Sequence, residues 1–292
     1  MKKKLQTFDY FNIVFMILLA FVTLYPFWNQ VVVSLSSAEA LAASKLLLWP
    51  KELTLASYKL AFEYKLLWSG YRNTIIRTVM GVVIGVSLTA LVAYPLSKKD
   101  LPFKRVLTGL FLFTMIFNGG LIPTYMLIKK LNLMDTYWAL VLPTAVSAFN
   151  VLIMRNFFMQ IPISMEESAH IDGAGPFGIF WSIILPLSKP VLATVTLWIL
   201  VSHWNDWFAP YLYIRDTNKQ VLQTVLRKIV IENNESELNM IKKTGSLRKE
   251  DIFSGEQLEA TMTMLAILPM MIFYPFIQKY FVKGVFVGSV KG

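Results

Sequence analysis

Long uncharged apolar runs recur along the chain, separated by short charged turns and by two wider polar stretches, 34–73 and 210–259. A helix needs roughly 20 mostly apolar residues to cross a bilayer. On that measure the pattern predicts spans over about 11–33, 75–97, 106–128, 136–156, 180–207 and 260–280, the fifth interrupted only by Lys189 near its start. These runs are apolar all round, whereas a helix at the surface of a soluble protein keeps a polar face. The fold class predicted is all-α and polytopic, with six transmembrane helices in one membrane domain.

Composition agrees. Of 292 residues, 55% are hydrophobic and 16% charged, against about 45–50% and 25% in ordinary globular chains. A mean hydropathy of +0.54 excludes disorder, and the lack of cysteine excludes a disulfide framework or thiolate metal site. No metal site is expected. Met1-Lys2-Lys3-Lys4 resembles the start of a secretory signal, and Ala38-Glu39-Ala40 a cleavage site. The apolar stretch that follows the lysines exceeds the roughly 7–15 residues of a signal core, so it reads as a retained first span.

The net charge of +10 then becomes a question of topology. With the N-terminus inside, the segments 1–10, 98–105, 155–189 and 279–292 face the cytoplasm and carry a net +7, while the remainder carries +3. Lys98, Lys99, Lys104 and Arg105 crowd one short turn, against Lys129 and Lys130 in the short outer loop. Positive charge in short flanks marks the inside, which puts both termini in the cytoplasm. The surplus suits anionic lipid headgroups rather than nucleic acid.

Seven prolines lie within the spans (Pro26, Pro95, Pro123, Pro143, Pro186, Pro269 and Pro275). They are compatible with packing geometry or with a bundle that rocks open. No Gly-x-x-x-x-Gly-Lys-Ser/Thr stretch is present, so the chain has no phosphate loop of its own. Acidic residues and histidines, which ion-coupled carriers place inside their spans, are missing from the span centres. His203 and Asp206 sit together at the outer end of span five, as an interfacial hydrogen-bonded pair in preference to a proton relay, and Arg77 lies at the start of span two. Two histidines and no cysteine leave little for a membrane enzyme. Elimination favours a transport subunit driven by a partner, with an ion-coupled secondary carrier as the alternative.

The loop 162–186, Pro162-Ile-Ser-Met-Glu-Glu-Ser-Ala-His-Ile-Asp-Gly-Ala-Gly-Pro176 and onward to Pro186, reads as two short helices with a break. Ser164 and Glu167 have capping-box spacing. Gly173 suits a left-handed helix end, and Pro176 a first helical turn. Ala169 and Gly173, four apart, offer a shallow spot for a close-packing surface.

This loop resembles the permease signature of binding-protein-dependent ABC importers: Glu-Ala-Ala, three residues, Gly, nine residues, Ile-x-Leu-Pro. Here Glu167-Ser168-Ala169 is followed after three residues by Gly173, and after nine more by Ile183-Ile184-Leu185-Pro186. Ser168 for the central Ala is the one departure. Ile171-Asp172-Gly173-Ala174, Asn118-Gly-Gly-Leu-Ile-Pro-Thr-Tyr125, Arg155-Asn-Phe-Phe158, Trp204-Asn-Asp-Trp-Phe208 and the tail from Lys279 resemble the sugar-importing branch, in particular permeases like the smaller maltose-type membrane subunit in the oligo- and polysaccharide group.

The resemblance implies a type I ABC importer permease fold in the bacterial cytoplasmic membrane, acting by alternating access on a sugar, in that group's manner an oligosaccharide. It implies a second homologous permease, two cytoplasmic ATPase subunits that hold ATP and Mg, and an extracytoplasmic sugar-binding protein. This chain itself is expected to bind no cofactor and catalyse no reaction. Carried over, Glu167 caps the first loop helix and meets the ATPase, with Ser168 beside it. Ala169 and Gly173 permit close contact, and Ile183, Leu185 and Pro186 anchor the loop into span five. Asp172 is either a helix-end residue or a contact, and Gly288–Gly292 is a further ATPase contact. The loop 210–259 is expected to meet the binding protein, with the helical spacing of Val221–Ile231 marking a packed part. Tyr125, Trp204, Asn205 and Trp207 are candidates to line a sugar pathway or, for the tryptophans, to form an interfacial belt. Asn118-Gly119-Gly120 is either an interruption of span three, where Asn118 also counts as a pathway candidate, or a close-packing site.

Overall fold

The computed structural model describes residues 7–43, 47–230 and 254–288, with side chains described through residue 275. All regular structure among them is helical. The helices are α1 (Thr7–Leu35), α2 (Ala38–Ala43), α3 (Ala56–Glu63), α4 (Lys65–Ser97), α5 (Lys104–Ile116), α6 (Leu121–Lys130), α7 (Tyr137–Val141), α8 (Ala148–Phe158), α9 (Ile163–Ile171), α10 (Pro176–Ile179), α11 (Leu185–Leu187), α12 (Lys189–Asn205), α13 (Phe208–Tyr213), α14 (Leu222–Val230) and α15 (Gly255–Gly288).

Three stretches, Thr7–Leu35, Lys65–Ser97 and Gly255–Pro275, are long and apolar enough to cross a membrane alone. Three more qualify as bent pairs: α5 with α6 at 108°, residues 137–144 with α8 at 53°, and 176–187 with α12 at 81°. The chain is therefore an all-α polytopic membrane protein with up to six spans. The apolar runs read the third, fourth and fifth spans each as one segment, with an interruption left open at 118–120; the structure bends all three. At 117–120 the interruption alternative holds: Gly120 has φ +87 and its amide donates to Asn118 Oδ1 at 2.9 Å, so α6 starts afresh. Pro123, Pro143 and Pro186 fall close to the three bends, where a missing amide costs least. Pro26 and Pro95 lie inside α1 and α4.

The chain divides into two units, Met1–Trp68 with Val225–Pro269, and Ser69–Thr224 with Met270–Gly292. In the first, α1 exposes its large apolar side chains from Phe8 to Phe27 and buries only Val32, Val33 and Ser34 in its last turn. An apolar helix surface of that kind is stable against lipid. Ser57 Oγ meets Thr261 Oγ1 at 2.8 Å, and Ser34 Oγ meets the Tyr58 hydroxyl at 2.9 Å. In α14, Val225, Leu226 and Ile229 are buried, the packed face that the spacing of this stretch anticipates.

The second unit holds the main core, in which Ala90, Ala93, Val151, Met154, Ile184 and Val195 pack together. Here α4 and α12 approach closely through Gly81 and Gly85, a small-xxx-small spacing that lets helix backbones near one another. A Cβ on Gly81 would overlap the buried His203 ring; one on Gly85 would sit 3.1 Å from Ile199 Cδ1, the movable end of a side chain. Gly81→Ala should therefore cost about 1–3 kcal/mol by overpacking, and Gly85→Ala clearly less. Melting midpoints of the two purified variants check this, and equal midpoints would refute the close contact at Gly81.

Candidate functional site

Residues 162–186 fold as the two short helices that the pattern predicts, but the start differs. Pro162 stands at the N-cap of α9 and no side chain caps the helix. A capping box needs an N-cap amide for the returning carboxylate, and proline has none. Ser164 lies inside the first turn and Glu167 is left exposed, so the predicted Ser164–Glu167 box does not form. The C-terminus of α9 closes as a Schellman turn. Gly173, at φ +84, donates to the His170 carbonyl at 3.0 Å, and Ala174 to the Ala169 carbonyl at 2.9 Å.

The two small residues of the signature then part company. Ala169 is half-buried against the unit's own core, so it is not the open spot predicted, whereas a Cβ on Gly173 would meet nothing within 4 Å. Ser168 and Asp172 are exposed, as are Ile171 at 86% and Phe177 at 74%. Beyond α10, residues Phe180–Ile184 wind as a π-helix into α11, with Ile184 fully buried. Ile183 and Leu185 pack on the core and Pro186 is exposed, just before the 81° bend.

Glu166, adjacent to the signature Glu167, points the other way. Its Oε2 pairs with Lys98 Nζ and accepts from the Tyr94 hydroxyl at 3.5 Å. An open cleft of about 1010 Å³ lies between the end of α4 and α9–α10, lined by Leu91, Pro95, Ile163, Ile171 and Phe177 among others.

A second polar centre lies nearer the middle of α4. Arg77, 2% exposed, donates through Nη1 to the Asp206 carbonyl at 3.0 Å and through Nη2 to Asp206 Oδ2. Asp206 Oδ1 accepts the amides of Phe208 at 2.9 Å and Ala209 at 3.1 Å, which starts α13. The expected His203–Asp206 pair is thus replaced. Asp206 belongs to Arg77, because a buried guanidinium needs a carboxylate more than an imidazole does, and His203 turns to the space left by Gly81.

Asp135 Oδ1 accepts the amides of Arg215 at 2.5 Å and Asp216 at 2.9 Å, just beyond α13. The Asp216 amide, assisted by Arg215 and Lys219, holds the Asp135 carboxyl below the usual carboxylate range. Its hold on 215–216 is therefore retained until pH falls below that range. Asn73 Nδ2 donates to the carbonyls of Asn218 and Gln220 at 2.8 and 2.9 Å, fastening the same segment to α4.

The predicted pathway residues have separate surroundings. Asn118 holds the Gly120 turn. Tyr125 stacks on Tyr213 at 6.2 Å and accepts from Arg215 Nη2 at 3.3 Å. Asn205 is exposed, and Trp207 lies edge-on to Phe208 and Tyr211. Trp204 is 5% exposed, enclosed by the fold rather than open to a pathway.

Residues 73–287 match the family described as binding-protein-dependent transport system inner membrane component. The chain belongs to this family. It is a multi-pass membrane permease component, and the ion-coupled carrier alternative is set aside. This permease is 40% identical to Protein LplC of Bacillus subtilis (strain 168), over 98% of its own length and 96% of the relative's. It is 39% identical to the polygalacturonan/rhamnogalacturonan transport system permease protein YtcP of the same organism, over 99% and 100%. Among solved structures it resembles a chain of a bacterial ABC transporter involved in the import of the acidic polysaccharide alginate, with TM-score 0.87 and 35% identity over 94% and 96% of the two chains.

Three features of this permease escape a reading of the loop signature alone. Gly81-x-x-x-Gly85 is visible as a spacing. The Arg77–Asp206 and Lys98–Glu166 pairs join residues 129 and 68 positions apart, with no local signal. Asp206→Ala should cost about 3–5 kcal/mol by stranding the buried Arg77, whereas the double replacement Arg77→Met/Asp206→Leu should recover most of it. Melting of the purified variants checks this; a double replacement no more stable than the single would overturn the assignment.

Proposed function

We propose that this chain is a permease subunit of an ATP-driven ABC importer of an oligosaccharide, coupled to a cytoplasmic ATPase through residues 162–186. The observation that carries this reading is the loop itself. Its signature spacing is complete apart from Ser168, and the turn at Gly173 leaves Glu167, Ile171 and Asp172 exposed on a short helix in a chain of the inner-membrane family. With both termini cytoplasmic, the basic 98–105 turn and the loop share the inner face, next to the ATPases. ATP and Mg reside on those partners, and closure of the ATPase pair drives alternating access in this chain and a second, homologous permease. Glu167, Ser168, Asp172 and Gly173 form the contact; Ile183, Leu185 and Pro186 transmit it into α12. The outward segment from Arg215 onward, fastened by Asp135 and Asn73, presents the long loop to a sugar-binding protein. Residues 289–292 and 231–253, part of the expected contacts, lie outside the described residues.

For the substrate we favour an acidic oligosaccharide, since a relative that transports polygalacturonan and a structural neighbour that imports alginate are both similar along nearly the whole chain.

Gly173→Asp should leave the chain folded, because its Cβ has open space and the left-handed backbone costs only about 1–2 kcal/mol. It should abolish stimulation of the ATPase by liganded binding protein, and unchanged stimulation would sink the docking reading. In a screen of the cognate binding protein, uronate oligosaccharides should bind at least about tenfold tighter than neutral ones of equal length, about 1.4 kcal/mol; parity would remove the acidic assignment.

A further inference from the structure

The end of α4 and the loop helix α9 meet at one polar joint. Helix α9 contains no buried residue. Ile163, Met165 and Ile171 are exposed, and Ala169 alone among its apolar side chains packs on the core. Its remaining attachment to α4 is Glu166. Successive residues on a helix do not share a face, so Glu166 turns inward to Lys98 while its neighbour Glu167 stays exposed.

The other half of the joint is held from several sides. Lys98 Nζ lies 4.2 Å from the centroid of the Tyr94 ring, and that ring contacts Phe180 at 5.1 Å and Phe158 at 6.4 Å, both buried. Tyr94 thereby touches the π-helix, α8 and, through its hydroxyl, α9. The last carbonyls of α4 are also occupied: Arg155 Nε donates to Leu96 at 3.0 Å and Lys104 Nζ to Lys98 at 2.5 Å. Cations at a helix C-terminus satisfy its orphan carbonyls and oppose its dipole. The receiving end is stiff, and α9 hangs on it mainly by one half-buried ion pair. Breaking such a pair would strand a charge beside apolar walls.

We infer that Tyr94, Lys98 and Glu166 are positioning residues that make α9 and the inner end of α4 move as one body, so that force on the loop reaches α4 directly as well as through α12. Because α4 also carries Arg77, nearer its middle, the joint links the loop to the Arg77–Asp206 centre along a single continuous helix. The inference rests on the proposed ATPase docking, but it concerns contacts within this chain.

The test uses the assembled transporter with its ATPase and binding protein in proteoliposomes. Glu166→Gln and Lys98→Gln should keep the ATPase bound and raise ATP hydrolysed per substrate imported by at least about fivefold, in the range of ordinary coupling energies. The exchange Lys98→Glu/Glu166→Lys should return that ratio to near the parent value, a rescue that a direct Glu166–ATPase contact would not give. Singles with an unchanged ratio, or an exchange that fails to rescue, overturn the joint.

A second arm does not depend on the ion pair. The chain has no cysteine, so Lys98→Cys/Glu166→Cys can be bridged by a short bis-methanethiosulfonate linker and released by reductant. The released form lacks the ion pair and should show the raised ATP cost of the single replacements; if the two elements travel together, bridging returns ATP hydrolysed per substrate to near the parent value. Transport that stops on bridging and resumes on release overturns the inference. Failure of the docking reading is distinguishable: the parent chain then purifies without ATPase while import persists, and both proposals fall.

Discussion

The pairing of buried Arg77 with half-buried Asp206 is the contact on which the unit Ser69–Thr224 depends. A guanidinium that is 2% exposed in an apolar chain has no water to fall back on, so the fold must bring it a carboxylate and a carbonyl. Asp206 supplies both, and its second oxygen starts α13. One residue thus ends α12 through its backbone, starts α13 through its side chain and ties both to α4. The 213–222 segment is then tied to the same helix through Asn73 and Thr74, whose hydroxyl accepts the Leu222 amide at 2.9 Å.

That arrangement is possible because α4 and α12 come close, and they come close because of two glycines. In lipid no hydrophobic force presses apolar helices together, so contact relies on packing and on polar pairs. Gly81 and Gly85 supply the packing surface for His203 and Ile199, and the ion pair lies near one end of the same seam. The bends elsewhere are tolerated by the same logic: backbone groups freed at a break must find protein partners. Asn118 at the Gly120 turn, and the Ile184 and Leu185 carbonyls that receive the Ser188 amide at 3.0 and 3.1 Å, do this at two of the three.

The loop 162–186 is built differently. Its helix ends are closed by backbone geometry at Gly173 rather than by side chains, which leaves its polar residues uncommitted on one side. Its inner side relies on one carboxylate and one small residue. A helix held so lightly is easily displaced as a unit yet cannot drift independently of α4 while Glu166 remains paired.

Fold class, the candidate membrane segments and the family were all legible in the residue order. They follow from the length of apolar runs, which the bilayer thickness fixes, and from a local spacing around Gly173, which backbone conformation fixes. Both are properties of neighbouring residues. The bends at Gly120 and Ser188, the choice of Arg77 over His203 as partner to Asp206, the inward turn of Glu166, and the burial of Ala169 and Trp204 arise only in the folded chain. A run of apolar residues looks the same whether it forms one rod or two at an angle. An acid with several candidate cations looks unassigned until packing brings one of them, with its desolvation cost, into reach.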